Sequence, residues 1–93
     1  RTAFKEVTDA VAAEEATAER LEAEMRQVQT RRDTLRLARR RYDAGYSSYL
    51  DVLDAQRTLF QSELDRVEAQ RQRLAATVDL YKALGGGWSS DPQ

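Results

Sequence analysis

Ninety-three residues make at most one small domain, and a chain this short buries too little apolar surface to be robust without partners. With 15 Lys+Arg against 16 Asp+Glu, the net charge of -1 exerts no global pull toward nucleic acid or anionic lipid, so any charge argument must be local. The absence of His and Cys excludes the usual zinc ligands, thiol and imidazole nucleophiles and any disulfide framework; no metal and no cofactor are expected.

Thr2 to Asp43 contains neither Gly nor Pro and is dominated by Ala, Leu, Glu, Gln and Arg, which predicts a first long helix over about 2–43. Ala44-Gly45-Tyr46-Ser47 follows. Gly45 can take the left-handed conformation that ends a helix, and Ser48 with Asp51 three residues later reads as a capping box for the next one. A second helix is expected over about 48–84, again free of Gly and Pro, and Gly85, Gly86 and Gly87 then predict its end in a Gly-rich irregular tail that carries Pro92. The fold class is therefore all-α, two long antiparallel helices forming a coiled-coil hairpin, with residues 1–84 as the hairpin and 85–93 as the tail. No apolar run approaches the roughly 20 residues of a membrane-spanning helix, and the first residues lack the charged-then-apolar pattern of a secretion signal. The segment itself is expected to be soluble.

Periodicity sharpens the pairing. Phe4, Val7, Val11, Glu14, Ala18, Leu21, Met25, Val28, Arg32, Leu35, Arg39 and Tyr42 follow alternating steps of three and four. In the second helix the same steps select Leu50, Leu53, Arg57, Phe60, Leu64, Val67, Arg71, Leu74, Val78 and Tyr81. Facing members of these two series have residue numbers that total 92, with a pivot at Tyr46 inside the turn. Arg32, Arg39, Arg57 and Arg71 would pack their stems on this seam and send their heads to water or a carboxylate.

A second series, Val52, Ala55, Leu59, Ser62, Ala69, Ala76, Leu80 and Ala83, is interrupted by Arg66 and Arg73 and displaced two residues from the first. Ala13, Ala16, Ala23, Thr30, Thr34 and Leu37 are a weaker parallel in the first helix. Small residues let helix backbones approach closely, so this face is expected to meet a neighbour in a sheet-like wall of helices.

The run Tyr42-Asp43-Ala44-Gly45-Tyr46-Ser47-Ser48-Tyr49-Leu50-Asp51-Val52-Leu53-Asp54-Ala55-Gln56-Arg57 closely resembles the periplasmic turn of TolC/OprM-type outer-membrane efflux proteins. The ending Leu80-Tyr81-Lys82-Ala83-Leu84-Gly85-Gly86-Gly87-Trp88 is similar to the C-terminal signature of the OprM-like (NodT-like) branch, and Ala3-Phe4-Lys5-Glu6-Val7 resembles the start of that family's last long helix. This resemblance implies a trimeric channel, an outer-membrane β-barrel continued by a periplasmic α-helical barrel, that works with a periplasmic adaptor (membrane fusion) protein and an inner-membrane pump. Members are far longer, so the chain would be one C-terminal piece in the periplasm, anchored in the outer membrane by segments it does not contain.

By the same resemblance Gly45, Tyr46 and Ser47 would dock the adaptor, and Asp51, Asp54 and Tyr42 would line or latch the periplasmic aperture. Carboxylates three residues apart share a helix face, and repeated about a threefold axis they would form negative rings that favour cations. Asp51 has an alternative role as a helix-capping residue, and Tyr42 as the end of the seam. Relatives with a basic latch residue differ from this chain, which has Ser47 there.

Two other readings compete. Arg31, Arg32, Arg36, Arg39, Arg40 and Arg41, opposed by Asp33, give a basic coiled-coil arm of the kind that binds RNA, although these arginines point around the whole helix without interleaved aromatics. An adaptor protein's own hairpin would also be antiparallel, but an Arg- and Leu-rich tip is expected there rather than Tyr46, Ser47 and Ser48. An enzyme is not expected, because a two-helix hairpin offers no concave, water-excluding pocket.

Overall fold

The computed structural model describes residues 2–89, which form two α-helices: α1, Thr2–Asp43, and α2, Tyr49–Ser89. No strand occurs among the described residues, and none of the helices there is long and apolar enough to cross a membrane. The all-α hairpin class and the boundary at Asp43 agree with the sequence reading. The end of α2 does not: it continues five residues past Leu84, through Gly85–Gly87 to Ser89. A glycine costs a helix about 1 kcal/mol relative to alanine, whereas extension adds a backbone hydrogen bond per residue, so consecutive glycines weaken a helix without forbidding it. The expected irregular tail is therefore helical in its first part, and Pro92 with the remaining tail residues lies outside the described residues.

The chain divides into two compact units. The turn unit, Glu22–Glu68, pairs the second half of α1 with the first half of α2. Its core is Leu35 against Val52 and Ala55, flanked by Ala38 and Leu59, and Val28 and Ser62 are buried further along. Ser62 tolerates burial because its hydroxyl donates to the Leu59 carbonyl at 2.7 Å. Arg32 reaches Glu63 across the helices at 3.7 Å.

The terminal unit combines Arg1–Leu21 with Ala69–Gln93. Val7, Ala10, Glu14, Thr17 and Leu21 are the partly covered positions of α1 that recur at three-four spacing. On α2 the corresponding positions are Ala69 and Ala76, both buried, with Arg73, Leu80 and Ala83 partly covered. Glu14 is the polar centre of this contact, accepting from Arg73 and Thr77.

These packings correct the expected seam. Leu35 packs with Val52 and Ala55, whereas Arg57, the partner that a total of 92 requires, is exposed and paired with Asp54. In both units it is the small-residue series of α2 that faces α1, while the large series looks outward: Leu50 is 72% exposed, Phe60 62%, Leu74 65% and Tyr81 73%. On α1 the positions Val7, Glu14, Leu21, Val28 and Leu35 keep their expected role, but Phe4, Val11 and Met25 are exposed and Ala10, Thr17, Arg31 and Ala38 are covered instead. A short turn holds the helices close, and close helices favour small contact residues. On α2 the series assigned to an outside neighbour is thus the inside of the hairpin and the series assigned to the inside is the free face, whereas on α1 Ala13, Ala16, Ala23, Thr30, Thr34 and Leu37 stay exposed as expected.

Candidate functional site at the helical turn

The turn is built by local rules. Tyr46 N–H donates to the Arg41 carbonyl at 2.8 Å and Gly45 N–H to the Tyr42 carbonyl at 3.0 Å, the paired bonds of a Schellman motif. That motif needs a left-handed residue, and Gly45 supplies it with φ of 83°. Ser48 then caps α2: its Oγ accepts from Leu50 N–H at 2.9 Å, and its carbonyl accepts from Asp51 N–H at 3.1 Å. Ser48 Oγ thus bonds the N–H of Leu50 and not that of Asp51, which the capping box required, and Asp51 takes part through its backbone N–H.

Aromatic rings bracket the turn. Tyr42 and Tyr49 meet edge to face, with centroids 5.0 Å apart and planes at 64°. Tyr42 makes this contact in the last turn of α1, whereas Tyr46, at 79% exposure, projects from the apex. Tyr49 was not singled out in the sequence. Its signal was the placement of two tyrosines immediately outside a glycine turn.

Ser47, Asp51 and Asp54 come together along an open groove of about 300 Å³, opposite Arg31 and Arg41 of α1, with Leu37 and Ala38 supplying apolar lining. The Ser47 hydroxyl oxygen is enclosed and has no hydrogen-bond partner. Tyr42, Gly45 and Tyr46 are not part of this groove, so the six candidate residues divide into a groove set and an apex set. Asp54 is also held at 2.7 Å by Arg57, an exposed pair one turn apart. Sequence reasoning had placed Arg57 on the hairpin seam; the three-residue spacing to Asp54 was the signal for its actual partner.

The basic stretch of α1 is divided as well. Arg36 binds Asp33 at 2.8 Å, and Arg32, Arg36, Arg39 and Arg40 share a separate groove with Asp43 and an apolar floor of Leu35 and Leu59. The Arg36 hydrogen bond, aided by one from Gln29, holds the Asp33 carboxyl below the ordinary carboxylate range. No group of three or more potential metal ligands occurs among the described residues.

Comparison with known proteins places this chain in a family. The family model described as outer membrane efflux protein matches residues 1–86. The solvent efflux pump outer membrane protein SrpC of Pseudomonas putida is 46% identical over 89 residues, covering 96% of this chain and 19% of SrpC. The antibiotic efflux pump outer membrane protein ArpC of the same species is 47% identical over 88 residues, 95% of this chain and 18% of ArpC. Outer membrane protein OprJ of Pseudomonas aeruginosa is 44% identical over 89 residues, again 95% of this chain and 18% of OprJ. The chain thus spans about a fifth of the length of these curated relatives. No solved structure matches it. A match along nearly the whole chain, at close to half identity, makes this chain a member of the outer membrane efflux protein family, whose members are channels and not enzymes.

Proposed function

We propose that this hairpin is part of the periplasmic α-barrel of a trimeric outer-membrane efflux channel, and that its turn is the periplasmic tip that gates the channel and docks an adaptor linked to an inner-membrane pump. The observation that carries the reading is the large apolar series of α2, left exposed from Leu50 to Tyr81 on a chain of this family. A stripe of that length on a solvated helix calls for neighbouring helices, as a barrel wall provides. Relatives are named for solvent, toluene and antibiotic efflux, so small organic compounds are the cargo class of the full-length parent.

At the apex, exposed Tyr46 beside Gly45 offers a contact surface, and the enclosed Ser47 hydroxyl has an unused hydrogen bond. Asp51 and Asp54 line one groove and would present carboxylates toward the aperture, with Arg57 offsetting the charge of Asp54. Tyr42, clasped by Tyr49, would hold the end of α1 at the gate. Family membership displaces both the RNA-binding arm and the adaptor hairpin as readings of the whole chain.

The test uses the full-length parent. Tyr46→Glu or Ser47→Arg is expected to abolish export of toluene or an antibiotic while leaving outer-membrane insertion intact. Asp51→Asn with Asp54→Asn is expected to lower the cation preference of the purified channel. Undiminished export with either tip variant refutes the docking role, and unchanged ion selectivity leaves the two aspartates as helix-starting residues.

A further inference from the structure

We propose that Glu14 selects which face of α2 turns toward α1 in the terminal unit. Two faces of α2 compete there. One carries Ala69, Arg73, Ala76 and Leu80, and the other carries Leu74, Val78 and Tyr81. Apolar burial alone favours the second, which has the larger side chains. The structure nevertheless places the first against α1, with Ala69 and Ala76 buried and Leu74 and Tyr81 exposed.

Glu14 belongs to either arrangement, because it lies at a heptad position of α1 that both seams share. With the small face inward, its carboxylate accepts from the Thr77 hydroxyl at 2.8 Å and from Arg73 Nη2 at 3.3 Å. The Thr77 hydroxyl also lies 3.1 Å from the Arg73 carbonyl, so the three residues form one connected clasp. Only 22% of the Glu14 side chain is exposed, and the Arg73 Nε is enclosed without a partner of its own. The Glu14 carboxylate has therefore given up most of its water, and its contacts with Thr77 and with Arg73, whose side chain keeps 41% of its surface exposed, are what compensate. With the large face inward, Glu14 would sit opposite Val78, where aliphatic atoms supply no donor to a carboxylate withdrawn from water.

The penalty falls on the wrong face and not on the right one, so a single polar residue can outweigh several apolar contacts in deciding orientation. This device is independent of the channel reading. Its consequence is that the large face stays free for a neighbour.

The chain has no cysteine, so paired cysteines can report the orientation directly. Ala10→Cys with Ala83→Cys places both thiols along one groove of the observed arrangement. Val11→Cys with Tyr81→Cys marks the alternative pairing. Each pair is oxidised in dilute solution, and intramolecular closure is scored by mass after alkylation. With Glu14 present, the first pair is expected to close at least tenfold more than the second. Glu14→Leu should reduce that ratio at least fivefold, and Arg73→Leu with Thr77→Val should move it in the same direction. A ratio unchanged by Glu14→Leu, in a chain that keeps its helical circular dichroism, overturns the proposal. If Glu14→Leu loses its helicity, the Arg73→Leu/Thr77→Val chain decides by the same ratio.

Discussion

Val52→Ala and Leu50→Ala, two residues apart on α2, separate the observed packing from the one that periodicity suggested. Val52 is 1% exposed and touches the Leu35 core, so truncation removes two methyl groups from a closed contact. At about 0.8 kcal/mol per group, with a small cavity term added, the loss is about 2 kcal/mol. Alanine's better helix propensity returns about 0.5 kcal/mol, leaving a net cost of about 1.5 kcal/mol, on the order of tenfold in the folded-to-unfolded ratio. Leu50 is largely in water, so Leu50→Ala should change stability by less than about 0.5 kcal/mol. Urea unfolding followed by helical circular dichroism, at two chain concentrations to expose any self-association, measures both. A larger loss at Leu50 than at Val52 in the dilute sample would refute the packing and restore the large face to the inside of the hairpin.

Gly45→Ala has room for its added methyl, with no atom within 4 Å, so its cost of about 1–2 kcal/mol is conformational; Gly45→Asn should cost less, and equal urea midpoints for the two would contradict this. A double-mutant cycle on Tyr42→Leu and Tyr49→Leu should return about 0.5–1.5 kcal/mol of coupling for the edge-to-face pair, whereas additive losses would deny it a role. Because the Asp33 carboxyl titrates below its ordinary value when folded, its contribution is present above the unfolded carboxylate range near pH 4 and is lost as pH falls through the lowered value. Carboxyl chemical shifts followed over pH should locate that titration, and Arg36→Gln should move it upward; an unmoved midpoint would show that the hydrogen bond is not its cause.

The elements that were legible in the sequence are those fixed by local chemistry. Gly45 could be identified because a left-handed residue is costly for anything else, and Ser48 because a serine before a helix satisfies a free N–H. Helix extent was legible wherever Gly and Pro were absent, and failed at Gly85–Gly87, where propensity was mistaken for prohibition. Choice of face was not legible from periodicity, since Val52–Ala83 and Leu50–Tyr81 repeat with the same steps. Ranking them by side-chain size selected the wrong one. The better signal was polar: Arg73 and Thr77 are one face's natural partners for Glu14, and Val78 is not. At the candidate site, the pairing of Asp51 with Asp54 followed from helical spacing, but the addition of Ser47, which the resemblance groups with Gly45 and Tyr46, and the opposing Arg31 and Arg41 depend on the turn and on how α1 and α2 are rotated about their axes.

That rotation also accounts for where the large side chains are placed. α1 and α2 are joined by the short turn Ala44–Ser48, so their association is intramolecular and loses little entropy beyond closing the loop. Alanines and a polar clasp are sufficient for such a contact. A neighbour without that tether must also offset lost translational and rotational freedom, which requires more apolar burial per residue of contact. Leu50, Phe60, Leu64, Val67, Leu74 and Tyr81 lie on the exposed face, where the proposed wall would need that larger driving force. Small inside and large outside is therefore the division expected of a hairpin that packs against other helices, as the proposed barrel wall requires, whereas a rule drawn from self-contained domains ranks the two faces the other way.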